Sequence, residues 1–249
     1  LGQWDSYDYL KQIVTHRLSA LGIGRPVYLG YNILIWEPLR KAFRLEPLHL
    51  EFVAMAGTVL LGVAGVILFR RLAGRMLPGP AAGMAALALA VSPVYAVYSG
   101  YIMTEVPMLA ALLAAALFVW KPGSRHAAWR DISGGVLFGL AVGIREQALT
   151  LGAGFVWMLF ARGDDFRGGF RASARFAAAA AAAILAPAAG MVFLDPAGFV
   201  ARTRTWLHAI PMGSVQFGNN VQASLLFAFV VCPGAWAALG CAAAYRLAR

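Results

Sequence analysis

The sequence predicts an all-α, polytopic helical membrane protein, and three observations predict it. Hydrophobic residues make up 61% of the 249 and charged residues only 13%, whereas a soluble domain is about half apolar and a quarter charged. The apolar residues fall into runs of the length a hydrocarbon core requires. The charges gather in short segments between those runs. Strict apolar–polar alternation is nowhere sustained, which argues against a membrane β-barrel. Read this way, residues 1–249 make a single membrane domain.

Residues 1–47 read as an extracytoplasmic first loop built from interfacial helices. From Ser6 to Ala20, the apolar residues Tyr9, Leu10, Ile13, Val14 and Leu18 recur at helical spacing, interleaved with Lys11, His16 and Arg17. Gly22, Gly24 and Pro26 interrupt this pattern. A second helix, from Pro26 to Phe43, carries Tyr28, Tyr31 and Trp36, aromatics favoured at headgroup depth, and closes on Arg40, Lys41 and Arg44. Leu1 is neither a methionine nor part of a signal peptide. An upstream membrane helix is therefore expected before it.

Membrane helices are expected at residues 48–69, 80–98, 106–120, 132–144, 147–160, 176–194 and 221–245, with Pro187 as a kink and 195–220 as an outer loop. Cys232 and Cys241, nine residues apart on the last of these, would lie about 13 Å apart along the axis, too far for a disulfide.

Basic residues set the orientation. The segments 70–79, 121–131 and 162–175 and the C-terminal tail hold twelve Lys and Arg against three acids, while the remaining positions carry nine against eight. The first set is therefore cytoplasmic, and residues 1–47 face outward. This distribution also accounts for the net charge of +10 without any nucleic-acid partner.

Residues 132–160 decide the topology. Basic segments flank both ends, and Arg145 and Glu146 sit at the midpoint, where each charge in lipid would cost about 2.5–3.5 kcal/mol. Two short helices meeting at Arg145–Glu146 satisfy both constraints. Short helices of this kind are tolerated beside a protein-lined, water-filled cavity. Gly135, Gly139 and Gly143, at four-residue intervals, let a neighbour approach the first of them closely.

The outward face then collects Asp5, Asp8, His16, Arg25, Glu105, Arg145, Glu146, Arg202, Arg204 and His208. Acids and bases on one face of a hydrophobic body suit a reaction between a lipid-borne phosphate ester and a polar acceptor. Arginine binds phosphate through paired hydrogen bonds, and a carboxylate can take a proton from a hydroxyl. Each residue also has an ordinary reading. Asp5 and Asp8 can cap and complement a helix start, Arg25 can reach headgroup phosphates, and Arg145 can simply pair with Glu146 or Glu105. Glu105, ahead of Val106-Pro107, is a natural acid for a helix N-terminus. The four histidines show no ligand spacing, so no metal is assigned. Neither a phosphate-binding glycine loop nor a nucleophile elbow is present.

The chain carries, in order, Asp5 at the head of an interfacial helix, Arg25-Pro26 before an aromatic helix, Glu105-Val106-Pro107, and Gly139-Leu140-Ala141-Val142-Gly143-Ile144-Arg145. That order resembles the C-type (GT-C) membrane glycosyltransferases, in the branch of the protein O-mannosyltransferases and the lipid A aminoarabinose transferase. The resemblance spans about residues 4–160 and rests on order and topology rather than on any one motif. It implies a GT-C-like fold with about seven crossings, in the bacterial cytoplasmic membrane. The implied activity is transfer of a sugar from a polyprenyl phosphate to an extracytoplasmic acceptor. The partners would be that lipid-linked donor and membrane lipids, and no cofactor is needed because the donor is a substrate.

By position, Asp5 would match the catalytic carboxylate, and Tyr9 a recurrent aromatic. Arg25 and Arg145 would match residues at the donor phosphate, and Glu105 the Glu-x-Pro acid. The family often has two adjacent acids at the first position, where this chain has Asp5-Ser6; Asp8 is the candidate for the second carboxylate. Glu146 is a supporting acid beside Arg145. The first alternative is a non-catalytic GT-C-like subunit of a larger membrane complex. A transporter is the second, disfavoured because no internal repeat is seen.

Overall fold

A computed structural model describes residues 4–16, 25–120, 127–161 and 166–194, and residues 196–198, 200, 201 and 204 beyond them. The side chains of Trp4 and Asp5 lie outside the described set, as do most of the expected outer loop 195–220 and all of the expected span 221–245. Leu1–Val200 makes one compact unit.

Every regular element among the described residues is helical. Helix α1, Trp4–Thr15, ends before His16, whose positive φ of 53° breaks the helical path. Asp5 therefore sits inside the first turn rather than at the cap. Helix α2, Pro26–Phe43, starts on a proline, which loses no intrahelical hydrogen bond there. It stops at Arg44, left-handed at φ 52°. Tyr28, Leu29, Asn32 and Trp36 form its buried stripe, while Leu34 and Phe43 are exposed.

A 3-10 turn, Pro47–His49, leads into α3, Leu50–Ala73. Residues 47–73 are long and apolar enough to cross a membrane. The buried stripe of α3 includes Thr58, Gly62 and Gly65, and Tyr95 Oη donates to the Gly62 carbonyl at 2.7 Å. The expected single helix over 80–98 is two, α4 (Gly79–Ala90) and α5 (Pro93–Ser99), bent by 62°. Pro93 lacks an N–H and forces Ser92 into an extended conformation, ψ 122°, so the helix cannot run through.

Helix α6, Glu105–Val119, packs against α7, Ala128–Ile144, and α7 packs most extensively against α9, Phe166–Leu194. Between α7 and α9 lies the expected break at Arg145. The second short helix opens as a 3-10 segment, Glu146–Leu151, before becoming α8, Gly152–Ala161. Glycine allows the α7–α9 approach: a Cβ on Gly139 would stand 2.5 Å from the Ala180 carbonyl oxygen, and one on Gly135 would collide with that of Phe176.

Helix α9 begins at Phe166, not near residue 176, so Arg167, Arg171 and Arg175 are helical rather than loop residues. Pro187 lies inside it. Asp131, a loop acid by sequence, is fully buried in the first turn of α7 and accepts from Arg175 Nη2 at 2.6 Å and Nε at 3.1 Å.

Two apolar clusters hold the unit together. One joins α6 to α9 around Phe138, Phe155 and Phe176, whose ring centroids lie 5.0–5.6 Å apart. The other joins α1, α2 and α3 to the end of α7 through Tyr9, Ile13, Tyr28, Trp36, Leu50, Ile102 and Ile144. Residues 166–187 pass the same length and hydropathy test as residues 47–73, and the bent α4–α5 pair passes it if taken as one span. The chain is thus an integral membrane protein, helical throughout its described elements.

Candidate functional site

The second cluster places the polar residues. Helix α7 stops because Arg145 turns extended, φ −154° and ψ 121°, while its N–H still closes on the Ala141 carbonyl at 2.9 Å. The guanidinium then makes three contacts. Nε donates to Gln147 Oε1 at 3.0 Å, Nη1 donates to Thr104 Oγ1 at 3.2 Å, and Nη1 forms an ion pair with Glu105.

The Arg145 and Glu105 side chains retain 25% and 29% of their exposure. Both are therefore largely withdrawn from solvent yet partly exposed. Glu105 is the first residue of α6, where the helix dipole favours a carboxylate. One of its oxygens takes Arg145; the other, Oε2, is buried and accepts no hydrogen bond among the described residues.

Two struts bring the N-terminal helices to this pair. Ser6 Oγ donates to the Ile102 carbonyl at 3.1 Å in a buried contact, so the first turn of α1 rests on the chain three residues before Glu105. Helix α2 begins against α7: a Cβ on Gly143 would stand 2.5 Å from Val27 Cγ2. Arg25 consequently lies over the Tyr9 ring, 5.1 Å from its centroid, and Tyr9 packs edge-on against Tyr28 at 5.0 Å. Burial pushes the Tyr28 hydroxyl well above its ordinary range. The neighbouring Tyr31 and the Glu105 carboxylate push the same way, and Arg25 opposes them. Burial likewise pushes Tyr31 up to about 12.

The structure brings together Tyr9, Arg25, Glu105 and Arg145 around Tyr28 and Thr104. Asp8 accepts from Gln12 Nε2 at 2.7 Å, one turn along its own helix. Glu146 is exposed and stands outside the Arg145–Glu105 pair. The Asp5 backbone adjoins Ser6, but its side chain lies outside the described residues, as do Arg202 and His208. Among the described residues, no group of three His, Cys, Asp or Glu side chains could hold a metal ion.

Sequence reasoning missed Thr104, Ser6 and the Asp131–Arg175 pair. Thr104 occupies the N-cap position of α6, yet its side chain caps nothing and is fully buried beneath Arg145. Ser6 is a strut rather than a vacant acid position. Asp131 and Arg175 are 44 residues apart, and no local spacing relates them.

No curated protein and no solved structure matches the chain. A family model does: that of the dolichyl-phosphate-mannose-protein mannosyltransferases matches residues 47–191, more than half of the chain, including Glu105 and Arg145. The chain belongs to this family, and is a membrane glycosyltransferase of the GT-C type.

Proposed function

We propose that the chain transfers a sugar from a polyprenyl-phosphate donor to an acceptor hydroxyl on the extracytoplasmic side of a bacterial cytoplasmic membrane. Asp5 acts as the general base. Its carboxylate takes the acceptor proton as the acceptor oxygen attacks the anomeric carbon. The bond from that carbon to the phosphate oxygen breaks, and the polyprenyl phosphate leaves with the electron pair. A single displacement inverts the anomeric centre. Arg145, with Arg25 in support, stabilises the charge gathering on the departing phosphate.

The observation that carries this reading is the Arg145 guanidinium, held by Thr104 and Glu105 at a helix break within the family-matched region, with about a quarter of its side chain exposed. Arg25 and Tyr9 are tied to the same helix end through the Val27–Gly143 contact. Asp5 enters by its place in the α1 turn that Ser6 fastens to Ile102. Asp8 would orient or assist that carboxylate from the next turn, and Glu146 would be a supporting acid beside Arg145.

Replacing Asp5 by Asn tests the mechanism in membranes supplied with a polyprenyl-phosphate sugar. Loss of a general base lowers turnover by about 10²–10⁴-fold while donor binding persists. Near-normal turnover in that variant would remove Asp5 from the mechanism. A second reading, a GT-C-like subunit without activity, draws on Ser6: where relatives often carry a second acid, this chain has a buried structural hydroxyl. Absence of turnover in the unaltered protein, together with a stoichiometric co-purifying partner, selects it.

A further inference from the structure

At the far end of α6 from Glu105, about 20 Å along the helix axis, the ends of α3 and α6 and the start of α7 enclose a cleft of about 570 Å³. Among the described residues, the guanidiniums of Arg71, Arg75 and Arg130 line it and no acidic residue does. The nearby acid on α7, Asp131, is bound to Arg175.

The three cations differ in how they are held. Arg75 is fixed at the C-terminal end of α6, donating from Nη1 to the Leu117 carbonyl at 2.5 Å and to that of Trp120, the residue that follows the helix. Arg130 lies over the Trp129 ring, 5.2 Å from its centroid. Arg71 is exposed in the last turn of α3. Burial, and then the like charge of Arg130, lower the pKa of Arg75 from its ordinary value. An anion between these groups would relieve that repulsion.

The remaining lining is apolar, with Leu68, Leu117 and Phe118 among it. Leu68 lies half-buried on the flank of the membrane helix α3, and Arg71 stands one turn beyond Ile67 on its outer face, where Leu60, Val63 and Ile67 are exposed. Trp129 is exposed at the rim, a residue type favoured at headgroup depth. A cationic pocket opening onto a lipid-facing helix suits a phosphate that arrives with acyl chains attached rather than a free ion.

We propose that this cleft binds the phosphate of an anionic membrane lipid, with Arg71 and Arg130 as its two guanidinium forks and Arg75 as a fixed wall. Guanidinium matches phosphate geometry through paired hydrogen bonds and is held less tightly by water than an ammonium. The site is distinct from the Glu105–Arg145 region and does not depend on the donor chemistry proposed there.

The test uses the full chain in detergent, titrated separately with phosphatidylglycerol, phosphatidylcholine and inorganic phosphate, with lipid retention read by native mass spectrometry and thermal unfolding alongside. Phosphatidylglycerol should be retained and raise the unfolding temperature, and the other two should do neither. The double variant Arg71→Gln/Arg130→Gln should bind phosphatidylglycerol about tenfold more weakly or worse. Arg171→Gln, an exposed cation on α9, should bind it normally. If the double variant does not fold, Arg71→Gln alone, at its exposed position, should still weaken binding several-fold. Equal retention of phosphatidylcholine, or undiminished binding in these cleft variants, overturns the proposal. Equal protection by inorganic phosphate overturns the lipid assignment.

Discussion

Arg145 shows how one residue serves two demands. It ends α7 by turning extended, and the same turn delivers its guanidinium to Thr104 and Glu105. Either group alone would be a largely buried charge without its counterion, a costly state. Arg145→Gln and Glu105→Gln should therefore each lower stability. The double variant should lose less than the sum, with a coupling of about 0.5–3 kcal/mol for residues in direct contact. Thermal or denaturant unfolding in detergent measures this, and strict additivity would show that the pair contributes no mutual stabilisation. The charge of Arg145 in an apolar stretch was visible in the sequence, and so was Glu105 at a helix start. Their pairing across 40 residues was one of two options until the fold chose it. Thr104 was hidden because its type and place fit a cap equally well.

At the scale of elements, backbone proximity sets the tolerances. Gly139 faces the Ala180 carbonyl and the Ala183 Cβ so closely that an added methyl must push α9 away from α7. Gly139→Ala should destabilise by about 1–3 kcal/mol, the usual cost of overpacking. Gly83→Ala, on α4 with nothing within 4 Å of the new methyl, should be neutral or slightly stabilising. Comparable unfolding midpoints for the two variants would contradict the close packing of α7 and α9. The four-residue glycine spacing was legible in advance, although its partner was not. Residues 80–98 form a continuous hydrophobic run, and only the backbone chemistry of Pro93 turns that one apolar stretch into two helices.

For the whole molecule, charge sorts the ends of the bundle. The Arg145–Glu105 pair and the lipid-phosphate cleft lie at opposite ends of α6. The positive-inside bias then predicts which end faces the cytosol. With Cys232 and Cys241 replaced by Ser, a cysteine introduced for exposed Lys41 should react with a membrane-impermeant thiol reagent applied from outside. One introduced for exposed Met76 should react only after permeabilisation. The reverse pattern would invert the orientation and move the proposed transfer site to the cytosolic face.

The sequence by itself determined the class of this protein, because hydropathy and charge placement answer to the bilayer and need no knowledge of neighbouring helices. It also determined the break at Arg145, since a charge in the middle of an apolar run excludes a plain crossing. Only the tertiary structure decided which polar groups meet: Arg145 with Glu105, Asp131 with Arg175, Ser6 with Ile102, and three arginines around one cleft. These contacts join residues far apart in the chain, and such pairing depends on how helices pack, which local spacing does not encode.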